Sequence, residues 1–101
     1  YIDDAVNAIK KLISQDPRGR VPFRILNIGS GIPIKLKKFL SILEKLNNKK
    51  AKTKLVEFQK GDVLKTHANI SELKKLINFK PKYSLELGLL RYHEWFRNYY
   101  K

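Results

Sequence analysis

Phe23-Arg24-Ile25-Leu26-Asn27-Ile28, followed by Gly29-Ser30-Gly31, is the stretch on which the reading of the fold turns. A short run dense in Phe, Ile and Leu that stops at glycines has the pattern of a strand buried on both faces, as in a parallel sheet. Upstream of it, Ala5, Val6, Ile9, Leu12 and Ile13 recur at helical spacing behind Asp3 and Asp4. Carboxylates in that place cap or favour a helix N-terminus, which predicts a helix from about Asp4 to Ser14 and a turn at Pro17-Arg18-Gly19-Arg20. Downstream, Leu36, Phe39, Leu40, Leu43 and Leu46 trace one helical face, and Asn47-Asn48 closes it. Thr53 to Phe58 alternates as a second strand with Leu55 turned inward. Ser71 is placed as the cap of a short helix carrying Leu73, Leu76 and Ile77, ended by Phe79-Lys80-Pro81. A last helix from Ser84 carries Leu85, Leu89, Tyr92, Phe96 and Tyr99 as a packing face. Helices alternating with strands predict an α/β fold.

Composition bounds the classes open to such a chain. Its 101 residues suffice for one domain or part of one, and 43% hydrophobic residues argue for a folded chain. The sequence contains no methionine and starts at Tyr1, so it is expected to be part of a longer translation product. No apolar run reaches the ~18 residues of a membrane span, and no leader of the signal-peptide kind is present, so a cytoplasmic chain without a membrane partner is expected. The absence of cysteine excludes thiolate metal sites, disulfides and thiol nucleophiles within these residues.

The net charge of +13 invites a nucleic-acid reading, but its distribution argues against one. Residues 1–50 carry +7 and residues 51–101 carry +6, so no basic tail stands apart. Lys outnumbers Arg by 17 to 5, whereas base-edge and phosphate-fork recognition favours the Arg geometry.

Few residues point to chemistry on spacing alone. Gly29-Ser30-Gly31 resembles the start of a dinucleotide loop, but the third glycine of that pattern would fall at position 34, which is Ile. Asp3 and Asp4 read as helix-end residues rather than as an acid/base or metal pair. His67 and His93 have no ligand set of metal spacing around them and read as structural or surface residues. No Ser, His and Asp arrangement can be argued, and none of the five tyrosines sits in Tyr-x-x-x-Lys, the pairing in which a lysine activates a tyrosine for proton transfer. Gln59-Lys60-Gly61-Asp62 reads as an ordinary turn. Its carboxylate is nonetheless of the kind that accepts two hydrogen bonds from vicinal ribose hydroxyls.

The order of these pieces resembles a family. Tyr1-Ile2-Asp3-Asp4, then Asn27-Ile28-Gly29-Ser30 with Pro33 and the Leu36, Phe39, Leu40 helix, then Gln59-x-Gly61-Asp62-Val63 with Thr66 and Ala68, then Lys80-Pro81-x-x-Ser84-Leu85-Glu86-x-Gly88-Leu89 ending in Trp95 and Tyr99-Tyr100, is similar to the C-terminal third of extended short-chain dehydrogenase/reductase enzymes. These are nucleotide-sugar epimerases and dehydratases, and Gln59-x-Gly61-Asp62-Val63 with the closing Trp-x-x-x-Tyr is most similar to the UDP-glucuronate 4-epimerases.

The resemblance implies a Rossmann-type parallel sheet whose last helix and strand are residues 1–34, with residues 35–101 as a substrate-binding lobe. It implies that the parent is an NAD-dependent isomerase acting on a UDP-sugar through a transient 4-keto intermediate, and a homodimer. It implies that Asp62 binds the uridine ribose, that Gln59 lies beside the nucleotide or its diphosphate, and that Tyr1 to Asp4 stand at the edge of the substrate cleft. The NAD loop and the catalytic Tyr/Lys pair have no counterpart here, so the 101 residues alone are expected to be inactive. Lys60 stands where relatives usually have Pro, and His67 with Asn69 replaces an aromatic and an acid. The alternative is a freestanding, non-enzymatic basic module that binds nucleic acid or an acidic partner.

Overall fold

A computed structural model describes residues 1–16, 20–63 and 66–101; the turn expected at 17–20 falls mainly outside the described residues. Four helices are present among them: α1 (Ile2–Ile13), α2 (Leu36–Asn47), α3 (Ser71–Ile77) and α4 (Leu85–Tyr99). The expected α/β class does not hold, because all regular structure among the described residues is helical and neither expected strand forms. A strand exists only through the ladder of a neighbour, and neither 23–28 nor 53–58 has one here.

What remains of the first expected strand is its side-chain alternation. Leu26 and Ile28 pack on the core, while Phe23 is 69% and Ile25 85% exposed, so the run is covered on one face and not on both. In the second, Leu55 is 94% exposed and does not face inward.

The chain divides into two compact units, Tyr1–Ile32 with His67–Ser84, and Pro33–Thr66 with Leu85–Lys101. The first unit holds the core: Ala8, Ile70, Leu73, Ile77 and Phe79 are buried, and Leu12, Leu26, Ile28, Ala68 and Leu76 pack around them. Leu73, at 1% exposure, is its centre, worth about 1.5–3 kcal/mol of transfer free energy. α1 meets α3, and Ala8 and Leu12 of α1 belong to the same apolar cluster as Leu73, Leu76 and Ile77 of α3. The apolar line Ile2, Val6, Ile9 and Ile13 of α1 is exposed.

The helix ends are built differently from the expectation. α1 begins two residues before Asp4, its N-cap is Tyr1 without a side-chain cap bond, and Asp3 and Asp4 lie in the first turn, where they favour the helix dipole. At α3 the Ser71 hydroxyl makes no cap; the Ser71 N–H instead donates to Asn69 Oδ1 at 3.0 Å. Asn48 and Asn78 close α2 and α3 in left-handed conformation, at φ 48° and 50°, which asparagine tolerates better than other side chains.

The second unit pairs α2 with α4. Leu89 is its one buried apolar residue among those described, with Leu85 and His93 half-buried on the same line of α4 and Leu40, Leu43 and Leu46 half-buried on α2. Lys38 bridges to Glu86 at 2.9 Å with both side chains more than half exposed, a pair of about 0–1 kcal/mol. The expected packing face of α4 is dry only at its start. Tyr92, Trp95, Phe96, Tyr99 and Tyr100 form a cluster of rings with each residue about half or more exposed, Trp95 and Tyr99 stacked with centroids 5.3 Å apart.

Candidate functional site

Gln59 and Asp62 are the two ends of one tight turn in the second unit. The Asp62 N–H donates to the Gln59 carbonyl at 3.2 Å, and Gly61 between them has φ +98°. A glycine in the left-handed region at the third position, after a lysine without positive φ, is the pattern of a type II turn. The second position of such a turn favours proline, and here Lys60 occupies it. A Cβ added to Gly61 would meet nothing within 4 Å, so the glycine is needed for its φ and not for space. Gln59, Gly61 and Asp62 are all exposed.

Tyr1 to Asp4 lie in the first unit, where sequence reasoning missed the arrangement. Asp4 is 8% exposed, and its two carboxylate oxygens accept the N–H groups of Lys82 at 2.9 Å and Tyr83 at 3.1 Å. The Tyr83 hydroxyl donates to Asp3 Oδ2 at 3.0 Å, and the Tyr1 ring lies on the Tyr83 ring with centroids 4.7 Å apart. A hollow of about 360 Å³ lies here, lined by Tyr1, Ile28, Gly29, Ser30, Pro81 and Tyr83 among others. The paired aspartates thus tie the first turn of α1 to the segment that leads into α4. The apolar stripe read from the sequence, Ala5, Val6, Ile9, Leu12 and Ile13, leaves Asp4 off its face, whereas the structure buries Asp4 and Ala8 and exposes Val6, Ile9 and Ile13.

The glycines at 29 and 31 serve packing. A Cβ on Gly29 would stand 2.9 Å from the Ala68 Cβ, and one on Gly31 2.9 Å from Ile70. The Cβ directions of both glycines are thus filled by residues 68 and 70 of the chain itself.

At the end of α2, the Ala51 N–H at 2.9 Å, and beside it the Lys50 ammonium at 3.0 Å, hold the Glu44 carboxyl below its ordinary value of 4.5. His67 is exposed, whereas His93 is half-buried with its Nε2 atom lacking a hydrogen-bond partner. No cluster of three or more His, Asp or Glu side chains able to hold a metal ion occurs among the described residues. None of the helices among them is long and apolar enough to cross a membrane.

No protein-family model matches the chain. Individual proteins do. A UDP-glucuronate 4-epimerase of Thermodesulfobacterium geofontis is 42% identical over 94% of the chain and 28% of its own length. UDP-glucuronate 4-epimerase 1 of Arabidopsis thaliana is 42% identical over 99% of the chain and 26% of its own length. An uncharacterized protein of Methanocaldococcus jannaschii is 43% identical over 95% of the chain and 28% of its own length. The chain therefore spans between a quarter and a third of the length of these relatives. Across nearly all of its 101 residues the chain is thus similar to one part of proteins named UDP-glucuronate 4-epimerase.

Proposed function

We infer that the 101 residues are the nucleotide-sugar-binding part of a UDP-sugar 4-epimerase, with UDP-glucuronate as the substrate. The observation that carries this is the 42% identity of nearly the whole chain to proteins named for that activity, one bacterial and one plant. In this reading residues 35–101 contact the nucleotide sugar. The type II turn supports it by presenting Gln59 and Asp62 from one exposed ledge, with the Asp62 carboxylate open to a vicinal diol and the Gln59 amide open to a nucleotide or diphosphate. Both are uncommitted to any core, as a recognition pair on a loop should be.

NAD belongs to the proposed activity, where it takes and returns the hydride at the sugar carbon. No step of that chemistry is assigned to the residues of this chain. The parent is a cytoplasmic homodimer in this reading, and the isolated 101 residues bind but do not turn over.

The test is Asp62→Ala in an epimerase that carries this stretch. UDP-glucuronate binding is expected to weaken by about 1–3 kcal/mol, the scale of hydrogen bonds to a charged group. Unchanged affinity would remove Asp62 from the site. If the chain ignored UDP-glucuronate and instead bound generic oligonucleotides with an affinity falling steeply in salt, the basic-module reading would replace this one.

A further inference from the structure

Asn7, Lys10 and Lys11 of α1 and Ser14 at its C-cap follow one another at the three- and four-residue steps that gather side chains on one side of a helix. With Lys80 and Lys82, from the segment after α3, they line a hollow of about 430 Å³. Ala8 and Phe79, both buried in the core of the first unit, line it as well, and every lining residue belongs to that unit. The two walls are fixed to each other. Phe79 shares the core cluster with Ala8, and the Lys82 N–H donates to the Asp4 carboxylate on α1 at 2.9 Å.

Among the described residues, none of these six polar side chains has a hydrogen-bond or ion-pair partner. The lining holds four ammonium groups against one carboxylate, Asp4, whose two oxygens already accept backbone N–H groups. Lys10 and Lys11 lie in the last turn of α1, where the helix dipole favours cations; Lys80 and Lys82 lie outside any helix and have no such reason to gather there. We propose that this hollow binds a short phosphate chain, a di- or triphosphate carrying several negative charges. A lysine ammonium is a compact point charge with three donors, which suits phosphate oxygens arriving from several directions, and Asn7 and Ser14 add neutral donors beside it. The volume is in the range that holds a small ligand. The inference goes beyond the UDP-sugar reading and does not rest on it, since Gln59 and Asp62 belong to the other unit.

The test titrates inorganic triphosphate into the 101-residue chain at an ionic strength of about 0.15 M, where exposed charges more than ~8 Å apart are largely screened from one another. Calorimetry is expected to read a saturable one-to-one complex, and NMR to find the shifted amides in residues 7–14 and 79–82. Lys11→Gln with Lys80→Gln, both exposed, removes one charge from each wall and should weaken binding about tenfold or more. Lys52→Gln with Lys54→Gln, exposed in the second unit, removes the same charge and should change binding by less than about twofold. UDP titrated in the same way separates the two sources of a phosphate chain. Shifts at the same amides would assign the hollow to a nucleotide's diphosphate, and shifts with triphosphate alone to a free phosphate chain; either supports the site. Absence of saturable triphosphate binding, or equal losses in the two double variants, would overturn the proposal.

Discussion

Glu44 and Asp4 both hold backbone N–H groups, and they differ in how far their partners lie along the chain. Glu44 grips Ala51 and Lys50 a few residues on. Its carboxyl is held below the ordinary value, so the folded state binds the proton more weakly than the unfolded one. The stabilisation is therefore complete above the ordinary carboxylate range and is lost as pH falls through the lowered folded value. An NMR titration should show the Glu44 carboxyl and the Ala51 amide moving together with one midpoint below 4.5; a midpoint at or above it would mean the bond is not kept in solution. Asp4 grips residues 78 and 79 positions away. Asp4→Ala strands two N–H groups in a part-buried site and should cost about 2–3 kcal/mol, read from the urea midpoint at unchanged slope. This distance in sequence is why the clamp was illegible: Asp3-Asp4 before an apolar stripe is indistinguishable from a helix-end pair until the 82–83 segment is seen against it.

At the scale of the element, the helices were legible because their information is local. Apolar spacing and the closing Asn47-Asn48 specify α2 within about a dozen residues, and α3 and α4 follow in the same way. The strands were not, because a strand's hydrogen bonds belong to a neighbour that its own residues do not encode; Phe23–Ile28 keeps the alternation without the ladder. The Gln59–Asp62 turn lies between these cases, since its glycine announced the turn while its contact with any nucleotide depends on what faces it. Two substitutions check the turn type. Lys60→Pro should stabilise it by about 0.4–1 kcal/mol by restricting the unfolded chain, and Gly61→Ala should destabilise it by about 1–2 kcal/mol through its positive φ. The amide exchange rate of Asp62 reports both, slower in the first and faster in the second. Opposite signs would indicate a different turn.

For the whole molecule, burial is distributed unequally between the two units. Among the described residues, five of the six buried apolar ones belong to the first unit, and the second has Leu89. Hydrogen exchange should accordingly find the strongest protection in α1 and α3, weaker protection in α2 and α4, and almost none across 51–63, where Leu55, Val56, Phe58 and Val63 are all exposed. Uniform protection across both units would instead make the chain one cooperative body. The ring cluster on α4 bears on how such a difference is observed. The single indole of the protein, Trp95, is stacked on Tyr99 in the second unit, whereas the first unit holds only the tyrosines Tyr1 and Tyr83. Selectively excited indole emission is thus a built-in optical reporter of one unit alone, silent to the melting of the other, and its mismatch with the far-ultraviolet helix signal would measure their independence without adding a dye.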